Sequence, residues 1–500
     1  MTDTPPRVSS GIAGLDTILR GGFAPHRLYL VEGTPGSGKT TLALKFLLDG
    51  VRRGERGLYV TLSETAEELD AVAQSHGWDL SALTLFELAT VDEVLGEARD
   101  QTVLHPWELE LGGTIRLIQE QVAATNPVLV VFDSLSELRL LAQDPLRYRR
   151  QVLALKQYFA GRRITVLLLD DLSADASQRD AHLHSLCHGV ITLERVTPDF
   201  GKALRRLQVQ KLRGIDFISG YHDLRIRHGG IEVFPRLVAS DHHAPFVGEN
   251  TSSGVRELDA LLDGGPLRGT CTLITGPAGT GKTTIALQYV RAAYERGEAS
   301  AIFEFDERVG TLLTRAKAMK LDLMEPLEKG LLVLEQIDPG EMSPGEFASL
   351  IRNAVEQRGC RLIVIDSLNG YMAAMPHTQQ LILQMHELLS YLNQQGVVTI
   401  LVNPQSGLID TIATATLNVS YIADTVILTR YFEAEGRMRK AISVIKNRGG
   451  AHEDSIRELR VDTQGVRLSG PLVEFRGVMT GTPEYIGSRE PLIEDRHLGT

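Results

Sequence analysis

Apolar residues fall in two rhythms along this chain. Short, almost wholly apolar runs alternate with longer stretches whose apolar positions return at helical spacing. Leu28 to Glu32 and Thr272 to Thr275 are predicted as buried strands that lead straight into glycine-rich loops. Val128 to Phe132 and Leu362 to Ile365 are rich in β-branched residues, and Asp-Ser-Leu follows each. Ile164 to Leu169 and Val397 to Val402 come after helical stretches and predict further parallel strands. Strands apolar on both faces have to be covered on both. The pattern therefore predicts an α/β architecture, a mainly parallel twisted sheet flanked by helices.

The whole pattern occurs twice. SSGIAGLDTILRGGFAPHRLYLVEGTPGSGKTTLALKFL begins at Ser9 and returns as SSGVRELDALLDGGPLRGTCTLITGPAGTGKTTIALQYV at Ser252. Lys39 and Lys282 stand 243 positions apart, as do Asp16 and Asp259. Asp133 pairs with Asp366 and Lys211 with Lys446 at offsets of 233 and 235, so the copies stay in step to their ends. Such a repeat is a duplicated domain, not a solenoid element. The expected division is a first domain over 1–235, a linker over 236–252, a second domain over 253–485 and a tail over 486–500. The stretch from Pro471 onward is rich in Gly, Pro and charge and is expected to be only partly ordered.

Length supports the same division, since 500 residues exceed what one core usually organises. A net charge of −11 speaks against nucleic acid as the main partner, because such binders carry a basic footprint. No apolar stretch reaches the roughly 20 residues that span a bilayer. The N-terminus has neither the basic start nor the apolar run of a secretory signal, so the expected location is the cytoplasm. Cys187, Cys271 and Cys360 lie far apart and read as buried free thiols.

Candidate chemistry sits at the ends of the predicted strands. The loop Gly33, Thr34, Pro35, Gly36, Ser37, Gly38, Lys39 and Thr40, with Thr41 behind it, matches G-x-x-x-x-G-K-[ST]. So does the loop Gly276, Pro277, Ala278, Gly279, Thr280, Gly281, Lys282 and Thr283, with Thr284 behind it. Glycines let backbone N–H groups converge on phosphates, and the following helix adds its positive end. Lys39 and Lys282 would reach the β- and γ-phosphates of ATP, while the Thr40 and Thr283 hydroxyls would ligate Mg²⁺. The chain thus reads as two tandem RecA-like P-loop NTPase domains. Asp133 and Asp366, at strand ends, are candidates to hold the same metal, with a simple turn cap as the alternative. Glu64 in the first copy, and Asp306 and Glu307 in the second, follow the next strand and are candidates to orient or deprotonate the attacking group. An exposed acid capping the next helix is the alternative there.

The duplicated cores, the S-G-x-x-x-L-D lead-in, and K-L-R-G and K-N-R-G near the domain ends together resemble the KaiC family. The likeness covers about residues 9 to 485. It implies a homohexameric ring with ATP between subunits, in which a Lys and an Arg of the neighbour touch the γ-phosphate. Those are Lys211 and Arg213 in the first copy and Lys446 and Arg448 in the second; strand alternation puts each pair on one face. It implies assembly and ATP hydrolysis by the first domain, and ATPase and serine/threonine autophosphorylation by the second, in clock-like or stress signalling. A regulatory protein on the C-terminal tail, and response-regulator or histidine-kinase partners, are further implications. The phosphoacceptor maps to Ser420, where Tyr421 replaces the second hydroxyl residue of the family's pair and Ala415 another threonine. Ser63 replaces the first of two acids in the first domain, and His188 stands opposite Asp424 of the second.

Two other readings remain open at the level of sequence. One is a recombination ATPase of the RecA/RadA type, although the chain lacks a four-cysteine module. The other is a nucleotide-gated scaffold with little turnover. A metal site at His182, His184 and His188 lacks acidic or cysteine partners at suitable spacing.

Overall fold

The computed structural model describes residues 6–88, 106–142, 144–172, 181–197, 202–372, 378–405, 421–463, 465–480 and 483–486. The chain divides into two compact units, Met1–Arg236 and Leu237–Thr500.

The first unit is built on a nine-stranded sheet: β1 (Leu28–Gly33), β2 (Gly57–Thr61), β3 (Thr84–Glu87), β4 (Leu129–Asp133), β5 (Thr165–Asp171), β6 (Gly189–Val196), β7 (Leu204–Leu212), β8 (Tyr221–Arg227) and β9 (Gly230–Phe234). Their order is β3-β2-β4-β5-β1-β6-β7-β8-β9. The first six run parallel, and the last three extend the sheet as an antiparallel meander. β1, β2 and β4 are buried at every position, as strands covered on both faces must be.

The second unit repeats this with β10 (Cys271–Pro277), β11 (Ser300–Glu304), β12 (Leu332–Gln336), β13 (Leu362–Asp366), β14 (Val398–Gln405), β15 (Thr425–Ala434), β16 (Arg437–Asn447), β17 (Arg457–Asp462) and β18 (Gly465–Pro471). The order is β12-β11-β13-β14-β10-β15-β16-β17-β18. Alternation along the strands splits its core in two. Ile274, Ile302, Val364 and Ile400 pack with Ile285 and Tyr289 of the helix Lys282–Glu295. Leu273, Phe303, Ile363 and Leu401 pack with Phe347 and Leu388 of the helices Pro344–Glu356 and Thr378–Gln394.

Residues 237–250 fold back on the second unit. Leu237 is buried in its core, Ala244 N donates to Gln394 O at 3.2 Å, and Gln395 Nε2 donates to His242 O at 2.5 Å. Beyond Pro471, Leu472 and Val478 pack under Phe432 and Ala441. All three cysteines are buried free thiols. Among the described residues no helix is long and apolar enough to cross a membrane.

Candidate functional site

Each glycine-rich loop leaves the C-terminal end of the central strand and turns into a helix, Lys39–Arg52 or Lys282–Glu295. The turn is made at Gly38 and Gly281, with φ of 110° and 103°, a conformation open to glycine. A Cβ on Gly38 would also lie 2.6 Å from Ile226 Cδ1, so a side chain there is excluded twice over.

The two lysines lie against their own loops. Lys39 Nζ donates to Gly33 O at 3.0 Å and pairs with Asp171 Oδ1 at 2.7 Å. Lys282 Nζ donates to Pro277 O at 2.7 Å, and Pro404 stands opposite Gly276 where Asp171 stands opposite Gly33. Burial lowers the pKa of Lys282 to about 8, against the pull of Asp366. Lys282 is thus held in a desolvated setting.

Parallel pairing sets the acids beside the loops. Asp133 lies opposite Thr61, and Asp366 opposite Glu304. Both aspartates are buried, and desolvation raises both pKa values, that of Asp366 to about 6. Tyr59 OH donates to Asp133 Oδ2 at 2.6 Å; Thr283 Oγ1 donates to Asp366 Oδ2 at the same distance.

Glu64 and Glu307 occupy matching turns. Glu64 N donates to Thr61 Oγ1 at 3.0 Å, and Glu307 N to Glu304 Oε1 at 3.1 Å. The Glu64 Oε2 atom is buried without a partner, and burial followed by the nearby Asp133 charge raises its pKa. Glu307 instead accepts from Arg315 at 2.6 Å. Asp306 accepts a short hydrogen bond from Ser367, next to Asp366.

The structure therefore brings together, in each copy, the loop lysine and threonine, the strand-end aspartate and the turn glutamate. It does not bring the basic pairs to them. Lys211 lies opposite Val190 of β6, which lies opposite Leu30, three residues before Gly33. At about 3.3 Å per residue that is roughly 10 Å down the sheet. Its side chain points farther away still, to Cys187 O at 3.1 Å, and Arg213 Nη2 donates to Ser185 O at 2.6 Å. Lys446 repeats the placement opposite Val426, its Nζ donating to Ala423 O at 2.5 Å, and Arg448 is exposed beside it.

Ser420 lies outside the described residues. His184 Nε2 contacts Glu32 Oε2 at 2.9 Å, the side chain of His182 lies outside the described residues, and among the described residues no three His, Cys, Asp or Glu are placed to hold an ion. Sequence reasoning missed Glu304, the fourth acid of the second site, and the Tyr59 bond to Asp133. Glu304 had one signal, an acid where Thr61 stands in the first copy. Tyr59 had none, because its partner is 74 residues away.

A family model described as "ATPase: KaiC" matches the chain twice, over residues 8–238 and 251–472. The chain is 26% identical over 494 residues to a circadian clock protein KaiC3 of Synechocystis sp., covering 98% of this chain and 97% of that protein. It is 27% identical to the circadian clock oscillator protein KaiC of Picosynechococcus sp., over 97% and 93% of the two chains. The corresponding protein of Synechococcus elongatus is also 27% identical, over 95% and 91%.

Proposed function

Since the chain belongs to the KaiC family of ATPases, we propose that it binds and hydrolyses Mg-ATP at both P-loops in a homohexameric ring. The first unit serves assembly and hydrolysis. The second hydrolyses ATP and phosphorylates Ser420 of its own ring. The similar proteins are named for circadian clocks, and a clock-like or stress-signalling output follows for this chain.

One observation carries the reading: in both copies the K-x-R pair lies at the other end of the strands from its own loop. A chain therefore cannot bring its own Lys211 and Arg213, or Lys446 and Arg448, to its own γ-phosphate. That separation supports supply by a neighbouring chain, whose cations would neutralise the charge that develops on the transferring phosphoryl group.

The donor set suits Mg²⁺. Thr283 Oγ1 and Asp366 Oδ2 already meet at 2.6 Å, and the carboxyl is buried with its pKa raised, so a cation there offsets a real desolvation cost. Mg²⁺ commonly takes one or two carboxylates and fills its shell with water and phosphate oxygens. Thr40 with Asp133, and Thr283 with Asp366, would hold it. When bound, the ion would neutralise negative charge on the phosphates. Lys39 and Lys282 would reach the β- and γ-phosphates from their loops. Glu64 and Glu307 orient the attacking water, or the Ser420 hydroxyl in the second unit, and take its proton.

Mixing tests the reading. Lys282→Ala and Arg448→Ala chains should each lack second-unit turnover. An equal mixture places an intact loop against an intact arginine at about a quarter of interfaces and should recover about that fraction. A mixture no more active than its parts, or a monomer with full turnover, would refute the shared site.

A further inference from the structure

Beyond Asp133 and Glu64, a third carboxylate stands at the first P-loop. Asp171 ends β5, which lies between β4, ending in Asp133, and β1, which runs into the loop. Parallel pairing sets Asp171 beside Gly33, the first residue of the loop. Phe132 lies opposite Leu168, so the register carries Asp133 to the level of Leu169, two residues short of Asp171. At about 3.3 Å per residue, the backbone of Asp171 stands roughly 7 Å farther toward the loop. Lys39 Nζ, whose place is on the β- and γ-phosphates, lies 2.7 Å from Asp171 Oδ1.

The strand tip is fixed from behind. The buried Asp170 accepts from Ser136 Oγ and from Asp171 N, each at 3.0 Å, and pairs with Arg139. Asp170 thus anchors the backbone of Asp171, whose own side chain is half exposed. The Asp171 charge reaches both other acids. Burial and then Asp133 raise the pKa of Glu64, and Asp171 adds to the rise. Burial raises that of Asp133, again with a contribution from Asp171. Three carboxylates and one lysine therefore surround the place of the γ-phosphate.

The second copy places its acids differently. Pro404 stands opposite Gly276 and Asn403 opposite Thr275, where the first copy has Asp171 and Asp170. Asp306, by contrast, takes the place that Ser63 holds 243 positions earlier. Each site thus pairs its turn glutamate, Glu64 or Glu307, with one exposed acid. In the second copy that acid comes just before the glutamate on the same turn. In the first it comes from the tip of a neighbouring strand.

We infer that Asp171 is a catalytic residue of the first unit, accepting a hydrogen bond from the attacking water in place of the acid that Ser63 lacks. The inference rests on hydrolysis at the first P-loop. Glu64 takes the water's other proton as the water oxygen bonds to the γ-phosphorus. The bond from that phosphorus to the β–γ bridging oxygen breaks, and ADP leaves with the electron pair. Two acceptors on opposite strands fix both hydrogens of one water and so aim its lone pair. Misplacing a reacting atom by about 1 Å costs on the order of 10²-fold in rate.

The test uses the full chain carrying Lys282→Ala, so that turnover of Mg-ATP comes from the first unit. Asp171→Asn should lower kcat about 10²-fold. A fluorescent non-hydrolysable ATP analogue should bind as tightly as before or tighter, since the amide no longer competes for Lys39. Adding Ser63→Asp, which installs the second copy's acid, should recover about ten-fold or more of the lost rate. A passive ion pair would shift analogue affinity and leave kcat unchanged. A purely structural role would lower kcat, affinity and melting temperature together, with no recovery from Ser63→Asp. Either result overturns the inference alone. A Lys282→Ala chain with no turnover for Lys39→Ala to remove would overturn first-unit hydrolysis, and the inference with it.

Discussion

Replacing Glu304 by glutamine should stabilise the second unit, and more so the higher the pH. Glu304 is 2% exposed, its Oε2 has no partner, and it lies opposite Asp366. Burial, followed by the Asp366 charge, pushes its pKa up to about 8. An unfolded glutamate gives up its proton near pH 4.3, while the folded one holds it; stability is therefore full at acid pH and falls as pH rises toward 8. Each pH unit in that window costs at most about 1.4 kcal/mol, a ceiling of about 4 kcal/mol by pH 7.5. Because Glu304 and Asp366 hold protons as a pair, about half of that is the expected effect. Glutamine copies the shape and neutrality of the protonated acid, and its carbonyl still accepts from Glu307 N. With roughly 2–4 °C per kcal/mol for a unit of this size, Glu304→Gln should raise the melting temperature by about 4–8 °C at pH 7.5, and by little at pH 5. Melting of the full chain in chelator, without nucleotide, from pH 5 to 8 provides the measurement. A difference between the two proteins that stays constant across this range would refute the reasoning.

Tyr59→Phe removes the donor from buried Asp133 and should cost the first unit about 1.5–3 kcal/mol, read as a lower first unfolding transition with the second unmoved. Glu307→Gln should slow phosphorylation of the protein by about 10² to 10⁴, the usual worth of general-base assistance. Ser420→Ala should abolish it; mass spectrometry after incubation with Mg-ATP checks both, and stoichiometric phosphate on another residue of Ser420→Ala would displace that assignment.

Duplication made most of the fold legible. One glycine loop or one strand-end aspartate has an ordinary explanation, but two in step do not, and the strand order repeats with them. Fully buried strands announce themselves because no position needs to be polar. The meander of β7 to β9 and β16 to β18 was harder to see, since half-exposed antiparallel strands mix charge with apolar residues, as in LRRLQVQKL. Within the site, local motifs gave Lys39, Thr40, Asp133 and their counterparts. The Arg315 hold on Glu307 and the burial of Glu304 depend on packing between elements, and no window along the chain contains that information.

The fold-back of residues 237–250 bears on where this protein is cut. A shortened chain begun at Ser253 keeps both sequence motifs of the second unit and looks complete on paper. It would lose Leu237, which is 5% exposed in that unit's core and is worth about 1.5–3 kcal/mol of burial. It would also strip Phe246 from the slot between Gly269 and Gly396, and His242 from Gln395. What remains has an open apolar notch of the kind that drives aggregation. Expressed alone, the second ATPase unit should begin at or before Leu237.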